Sequence, residues 1–258
     1  IIKYSTVIHQ PQRSSTPRAE PSGSDSNEQN EYKEFLLSML ESFKQRLGFV
    51  KRGLFGFFEN LFETVPPVPE SVTSFAIGQT FQNKPILCYQ VGEGARKVLF
   101  VAGIHGNEVG SVKVARHLIS WLFENQNKFN EFTFYIISCL NLDGFEAAKK
   151  EPDYFGGGKK GRFNGRGVDL NRNFATPSFK SESVWSTGKN YTEQIKVFCG
   201  EVGESEPEIQ ALIKFIREQN IKVYVAFHNV FGAVLGSKDA LAQDLAKAFS
   251  QKSGYYLE

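Results

Sequence analysis

KVLFVAGIHGNEVGSVKVARHLISWLF, residues 97–123, reads as one strand-to-helix unit. The run from Lys97 to Ile104 is short and apolar, which suits a strand buried on both faces. From Glu108 to Phe123 the apolar residues recur at three- and four-residue steps, the period of a helix. Gly103, Gly106 and Gly110 let the backbone turn tightly between the two, and their spacing is not that of a nucleotide-binding loop. Two further runs repeat the strand half: FTFYIISCL at 132–140, and KVYVAF at 222–227, which ends at His228. Segments 74–77 and 85–91 read as paired strands around the polar turn QTFQNK. Residues 207–219 read as a helix capped by Ser205, with Pro207 in its first turn and Glu208 at its third position. Short apolar strands alternating with longer helices predict an α/β fold: three layers, α/β/α, around a mixed, mostly parallel twisted sheet that begins near Ser71.

Ahead of that body, Gln10–Asn30 is dense in Ser, Pro, Asn and Glu and nearly free of large apolar groups, so residues 1–30 read as a disordered leader or linker, with the short IIKYSTVIH at its start a stray strand or a remnant. Residues 31–70 read as accessory helices. In 31–46, Phe35, Leu36, Met39, Leu40 and Phe43 share one broad face. In 50–63, Gly53, Gly56 and the scarcity of cations favour packing on the main domain over lying on a membrane. VPPVPE at 65–70 stops any helix.

Composition narrows the function. Lys and Arg number 30 against 28 Asp and Glu, a formal +2, which argues against a nucleic-acid binder. The three cysteines Cys88, Cys139 and Cys199 are too few and too scattered for a disulfide framework, and they leave the redox compartment open. No stretch approaches the roughly 18 apolar residues of a spanning helix, so no transmembrane segment is expected. The chain begins at Ile1 and its one methionine is Met39, so it reads as part of a longer product.

Four histidines are present: His9 in the leader, His117 within the 108–123 helix, and His105 and His228 at strand ends. In an α/β sheet, sites gather beyond the carboxyl ends of the strands, where both of the latter fall. His105 and Glu108 lie three residues apart at a strand-to-helix turn. With His228 they would supply two imidazoles and one carboxylate to a zinc ion, leaving a position open for water. RFNGRGVDLNRNF at 162–174 sets Arg162, Arg166 and Arg172 beside Asn164, Asn171 and Asn173, with Asp169 the one acid among them. That density of guanidinium groups suits a carboxylate ligand; a plain surface loop with an Asp169–Arg ion pair is the competing reading.

GIHGNEVG at 103–110, NLDG at 141–144, GVDLNRNF at 167–174, SEPE at 205–208 and AFHNVFG at 226–232 follow one another as in zinc carboxypeptidases of the carboxypeptidase A type, which this chain resembles over residues 71–258. Within that family SEPE looks most like bacterial peptidoglycan-peptide amidases. The resemblance implies a carboxypeptidase-like fold, zinc bound by His105, Glu108 and His228, and hydrolysis of a C-terminal peptide or isopeptide-like amide bond. It implies that Asn171 and Arg172 hold the substrate's free carboxylate and that Arg162 polarises the scissile carbonyl. Zinc deacylases of the aspartoacylase and succinylglutamate desuccinylase type share the first and third segments, so deacylation is the alternative activity, and a non-catalytic zinc- or peptide-binding relative is another. A bacterial source is implied, with periplasmic, secreted and cytoplasmic locations all compatible; oligomeric state is left open.

The family mechanism also uses a glutamate general base on a late strand and a tyrosine on an intervening loop. Only thirty residues follow His228; Glu258 falls before the base position, and Tyr255 and Tyr256 before the tyrosine position. The expectation is a domain whose last strands lie past Glu258, and a segment that binds zinc but hydrolyses poorly, since a placed base is typically worth about 10²–10⁴ in rate.

Overall fold

The computed structural model describes residues 2–5, 23–46, 67–150, 160–187, 192–229, 233–237, 239–253 and 255–257. Its main sheet has eight strands: β1 (Ile2–Ser5), β2 (Thr73–Gln79), β3 (Pro85–Val91), β4 (Arg96–Val101), β5 (Phe132–Ile137), β8 (Val223–Asn229), β9 (Ala233–Leu235) and β10 (Tyr256–Leu257). They lie in the order β10-β9-β1-β8-β4-β5-β3-β2. β5, β4 and β8 form a parallel centre, β3 and β2 continue it antiparallel on one side, and β1 runs antiparallel to β8 on the other. β6 (Glu182–Thr187) and β7 (Glu193–Phe198) form a separate antiparallel pair.

The alternation of side chains along each central strand builds two hydrophobic layers from one sheet. Val98 and Phe100 of β4, Phe132, Phe134 and Ile136 of β5, and Val225 and Phe227 of β8 face one way. There they meet Leu118, Ile119 and Leu122 of α2 (Val109–Glu124), Leu36 and Met39 of α1 (Gly23–Arg46), and Leu245 of α5 (Ala240–Ser253). Leu99, Val101, Tyr135, Ile137 and Tyr224 face the other way, onto Ile209, Leu212 and Ile216 of α4 (Pro207–Glu218). Each such side chain, fully buried, contributes about 1.5–3 kcal/mol. Because both faces of the centre are covered, the strands read in sequence as unbroken apolar runs. The α/β architecture with a mixed sheet between helices is as expected; its parallel pairs are β5–β4–β8 at the centre and β1–β9–β10 at one edge.

Several expectations change in detail. The leader drawn through Asn30 gives way to helix at Gly23, and Ile2–Ser5 is a strand within the main sheet. α4 starts from Glu206, not Ser205, as its cap residue: Ser205 Oγ instead donates to Glu206 Oε1 at 2.8 Å, and Glu208 moves to the second helical position. The segment 50–63 and His9 lie outside the described residues. No described helix is long and apolar enough to cross a membrane.

β4 and β8 are paired in parallel with Val101 opposite Ala226, so the segments at their carboxyl ends arrive at the same edge of the sheet. That register positions the site. A second connection brings the 162–174 loop there: Val168 bridges to Phe198 of β7, and the Asp169 N–H donates to the Phe198 carbonyl at 2.9 Å.

Candidate metal centre

GIHG packs against NLDG so closely that no side chain fits between them. A Cβ on Gly106 would sit 2.1 Å from the Phe145 nitrogen and 2.2 Å from the Gly144 carbonyl carbon. Gly103 is held at φ 60°, a left-handed turn that glycine adopts without cost. Asn141 caps α3 (Leu142–Lys149) by accepting from the Gly144 N–H at 2.8 Å, while its amide donates to the Arg162 carbonyl at 3.2 Å. Three of the quoted segments thereby make one rigid floor.

On that floor His105, Glu108 and His228 converge, all buried, with their ligating atoms within 4.8 Å of one another. Glu108 is the cap residue of α2 but spends neither carboxylate oxygen on its own helix. One oxygen lies 2.8 Å from His105 Nδ1; the other lies 2.9 Å from His228 Nδ1 and accepts from the Asn229 N–H at 3.1 Å. The remaining nitrogen of His105, Nε2, lies 3.0 Å from Asp169 Oδ1. When Asp169 accepts from Nε2–H, Nδ1 turns a lone pair toward Glu108, an arrangement that is repulsive until a proton or a cation lies between them. Two imidazoles and one carboxylate, one imidazole being oriented by a second carboxylate, form a donor set that fits zinc.

Charge agrees with geometry. Burial opposes protonation of His105, but the Glu108 and Asp169 carboxylates together outweigh it and raise its pKa. Burial likewise pushes Glu108 up, and the two imidazoles overcome it and hold the carboxyl well below the usual range. Asp169 is held low by His105 and Arg162 against the same burial penalty. A site with buried anions on two sides of an imidazole attracts a cation.

The arginine cluster separates into three different roles. Arg162 is buried and donates through Nε and Nη2 to Asp169 Oδ2 at 3.2 and 2.9 Å, leaving Nη1 3.5 Å from His105 Nδ1. Its Cζ lies 4.2 Å from the ring centroid of Trp185 on β6. Arg166 turns away to Glu201 and the buried Glu206, so the expected three-guanidinium clamp does not form. Arg172 is exposed and donates to the Asn171 carbonyl, and among the described residues it has no carboxylate within ion-pair distance. The Asn171 N–H donates to Asp169 Oδ1 at 3.1 Å, which ties the Asn171–Arg172 pair to the same carboxylate that orients His105. The competing sequence reading contained a correct element, an Asp169–Arg pair, but the pair is buried at the site rather than solvated. Two features of the site come from the structure alone: Asp169 as a partner of His105, and Trp185 over Arg162. The Asp of GVDLNRNF, alone among so many cations, was the available signal for the first; nothing local pointed to the second.

Behind the loop lies a polar lock. Asn164 donates to both Glu206 Oε2 (2.9 Å) and Glu208 Oε2 (3.1 Å), and its Oδ1 accepts from the Arg166 and Val168 N–H groups. SEPE thus serves to hold the Arg162–Asp169 segment. The cysteines are free, and burial pushes the thiols of Cys88 and Cys139 up to about 12, which leaves them unsuited to nucleophilic work.

Fold and site together define an α/β protein with a two-histidine, one-glutamate metal centre at the carboxyl edge of its sheet. The chain belongs to the zinc carboxypeptidase family, whose profile matches residues 61–238. It is 28% identical over 184 residues to carboxypeptidase B2 of Rattus norvegicus, covering 65% of this chain and 42% of that protein. Among solved structures it resembles murein-tripeptide amidase from Escherichia coli O157, with a TM-score of 0.52 and 24% identity over 76% of this chain and 74% of that one. It also resembles bovine thrombin-activatable fibrinolysis inhibitor, with a TM-score of 0.52 and 21% identity over 80% and 62% of the two chains. The two structural likenesses speak for the fold. The chain spans about two-fifths of the length of the curated relatives it matches.

Proposed function

We propose that this chain carries the zinc site of a metallocarboxypeptidase that cleaves the amide bond preceding a free carboxylate, in the manner of a peptidoglycan-peptide amidase. The observation that supports it most directly is the sharing of Asp169: one carboxylate orients the metal ligand His105 and holds Arg162, so a guanidinium stands beside the metal centre. Bound by His105, Glu108 and His228, zinc supplies Lewis acidity and a water of lowered pKa. Arg162 Nη1 offers a donor to the oxygen that gains charge as the carbonyl is attacked. Asn171 and Arg172, at the exposed rim, grip the terminal carboxylate and set the last amide bond over the metal. The amidase assignment within the family rests on the SEPE segment at 205–208.

The test pairs metal analysis with two substrate sets: peptides ending in a free carboxylate, and N-acylated amino acids. Stoichiometric zinc is expected, with cleavage confined to the peptides and slow, since a placed general base is worth about 10²–10⁴ in rate. Cleavage of the N-acyl amino acids alone would establish the deacylase activity instead, and absence of zinc from the purified chain would remove the reading altogether.

A further inference from the structure

Arg162 has no room for error in its orientation. Two of its nitrogens are taken by Asp169, and the third lies 3.5 Å from His105 Nδ1 at the metal centre; the proposed function requires it to stay there rather than turn into solvent. Two contacts from one carboxylate oxygen leave the guanidinium plane able to swing about the Asp169 Oδ2 axis. What closes that freedom is an aromatic face: the Trp185 indole lies against the guanidinium with Cζ 4.2 Å from its ring centroid. A cation at that distance is attracted by the ring quadrupole and, being partly desolvated, more strongly than at an exposed surface.

Trp185 comes from the β6–β7 pair, outside the main sheet, and its placement is not accidental to the loop. It sits opposite Ile195 in a pair whose far end joins the Arg162–Asp169 segment through the Val168–Phe198 bridge and the Asp169 N–H to Phe198 carbonyl bond. Ser181 is tied back as well, its carbonyl accepting from the Cys199 N–H at 2.8 Å. The same hairpin therefore fixes the backbone of Asp169 and lays the indole over the side chain that Asp169 holds.

We propose that Trp185 is the positioning residue for Arg162. It acts as a wall that keeps Nη1 aimed at the metal pole and shields the guanidinium from water, and it does not itself bind metal or reacting atoms. The proposal rests on the assignment of Arg162 as the oxyanion donor, and it makes the β6–β7 hairpin part of the site, although none of the quoted family segments lies on it.

The experiment has two arms. In the first, the Arg162 Nε–H resonance is identified in the zinc-loaded protein by its disappearance in Arg162→Lys. Ring current from Trp185 should shift this signal upfield; Trp185→Leu should return it to the ordinary arginine range, and Trp185→Phe should keep most of the shift. In the second arm, a phosphonate dipeptide analogue with a free terminal carboxylate is titrated into each variant by calorimetry. Trp185→Leu should weaken binding about tenfold and Trp185→Phe by much less. In the Arg162→Ala background, Trp185→Leu should have no further effect on phosphonate binding, with zinc content retained in every variant; Arg162→Ala itself lowers thermal stability by leaving Asp169 without its guanidinium partner. An unshifted Nε–H in the parent protein, or equal loss from Trp185→Leu with and without Arg162, would overturn the proposal. Failure of the parent protein to bind the phosphonate would count against the hydrolase assignment instead, and the resonance arm would still decide the role of Trp185.

Discussion

His105 Nε2 and Asp169 Oδ1 stand 3.0 Å apart, although 64 residues of chain separate them. The contact chooses the tautomer of a metal ligand from across the site. Removing its charge while keeping its shape, by Asp169→Asn, should lower zinc affinity about 10–100-fold. Competition with a chromophoric chelator would measure this; unaltered affinity would mean that His105 is oriented by packing alone.

Metal and folding should be coupled through the three ligands. At 100 times its dissociation constant, zinc should stabilise the chain by about 2.7 kcal/mol, visible as a rise in Tm. His228→Ala should abolish that rise, because it removes the ligand contributed by β8. A zinc-dependent Tm shift that survives the substitution would place the metal elsewhere.

pH should act in opposite directions on the groups of the metal-free site. Glu108 and Asp169 have folded-state pKa values below their ordinary 4.5 and 3.8, so their contribution is present above those values and lost as the pH falls through the folded ones. His105 is raised above its ordinary 6.5; its contribution is full below that value and lost as the pH rises through the folded one. Metal-free protein should therefore be most stable between about pH 5 and 6.5, and added zinc should matter most above that window, where His105 has given up its proton. Thermal melts across pH with and without chelator test the crossover, and parallel curves would refute it.

Asn164 stands between two buried carboxylates, donating one amide hydrogen to each. Asn164→Leu would leave Glu206 and Glu208 facing each other across an apolar group, and burial already raises the Glu208 pKa. The loss should be about 3 kcal/mol, read by urea unfolding. The loop carrying Arg162 and Asp169 should loosen with it, so zinc affinity should fall although no ligand has changed.

Gly106→Ala should be costly for a different reason. Its Cβ would collide with backbone atoms of Gly144 and Phe145, which cannot rotate away as a side chain could. Folding yield and Tm should drop, and a neutral result would show that the GIHG and NLDG turns separate easily.

Much of this was legible along the chain. The strand runs at 97–104, 132–140 and 222–227 are continuous because both sheet faces are covered, and helix periodicity located α2 and α4 within a residue or two. The helix cap was misplaced at Ser205 because a hydroxyl there satisfies the local rule equally well; what decides is Glu206, whose N–H is held by Asn173 Oδ1 from the distant loop. The three-arginine clamp failed for the same reason: Glu201 and Glu206, remote in sequence, take Arg166 out of it.

By itself, the sequence determined the strand-to-helix turn that pairs His105 with Glu108, since three residues across such a turn bring both side chains to one side, and it placed His228 near the end of a neighbouring buried strand. Tertiary structure alone decided that these side chains meet, because the distance from Glu108 to His228 depends on the pairing of β4 with β8, with Val101 opposite Ala226. It also decided which carboxylate orients His105, which arginine that carboxylate holds, and which ring lies over Arg162. Those outcomes follow from strand register and from hydrogen bonds between segments dozens of residues apart, where local periodicity carries no information.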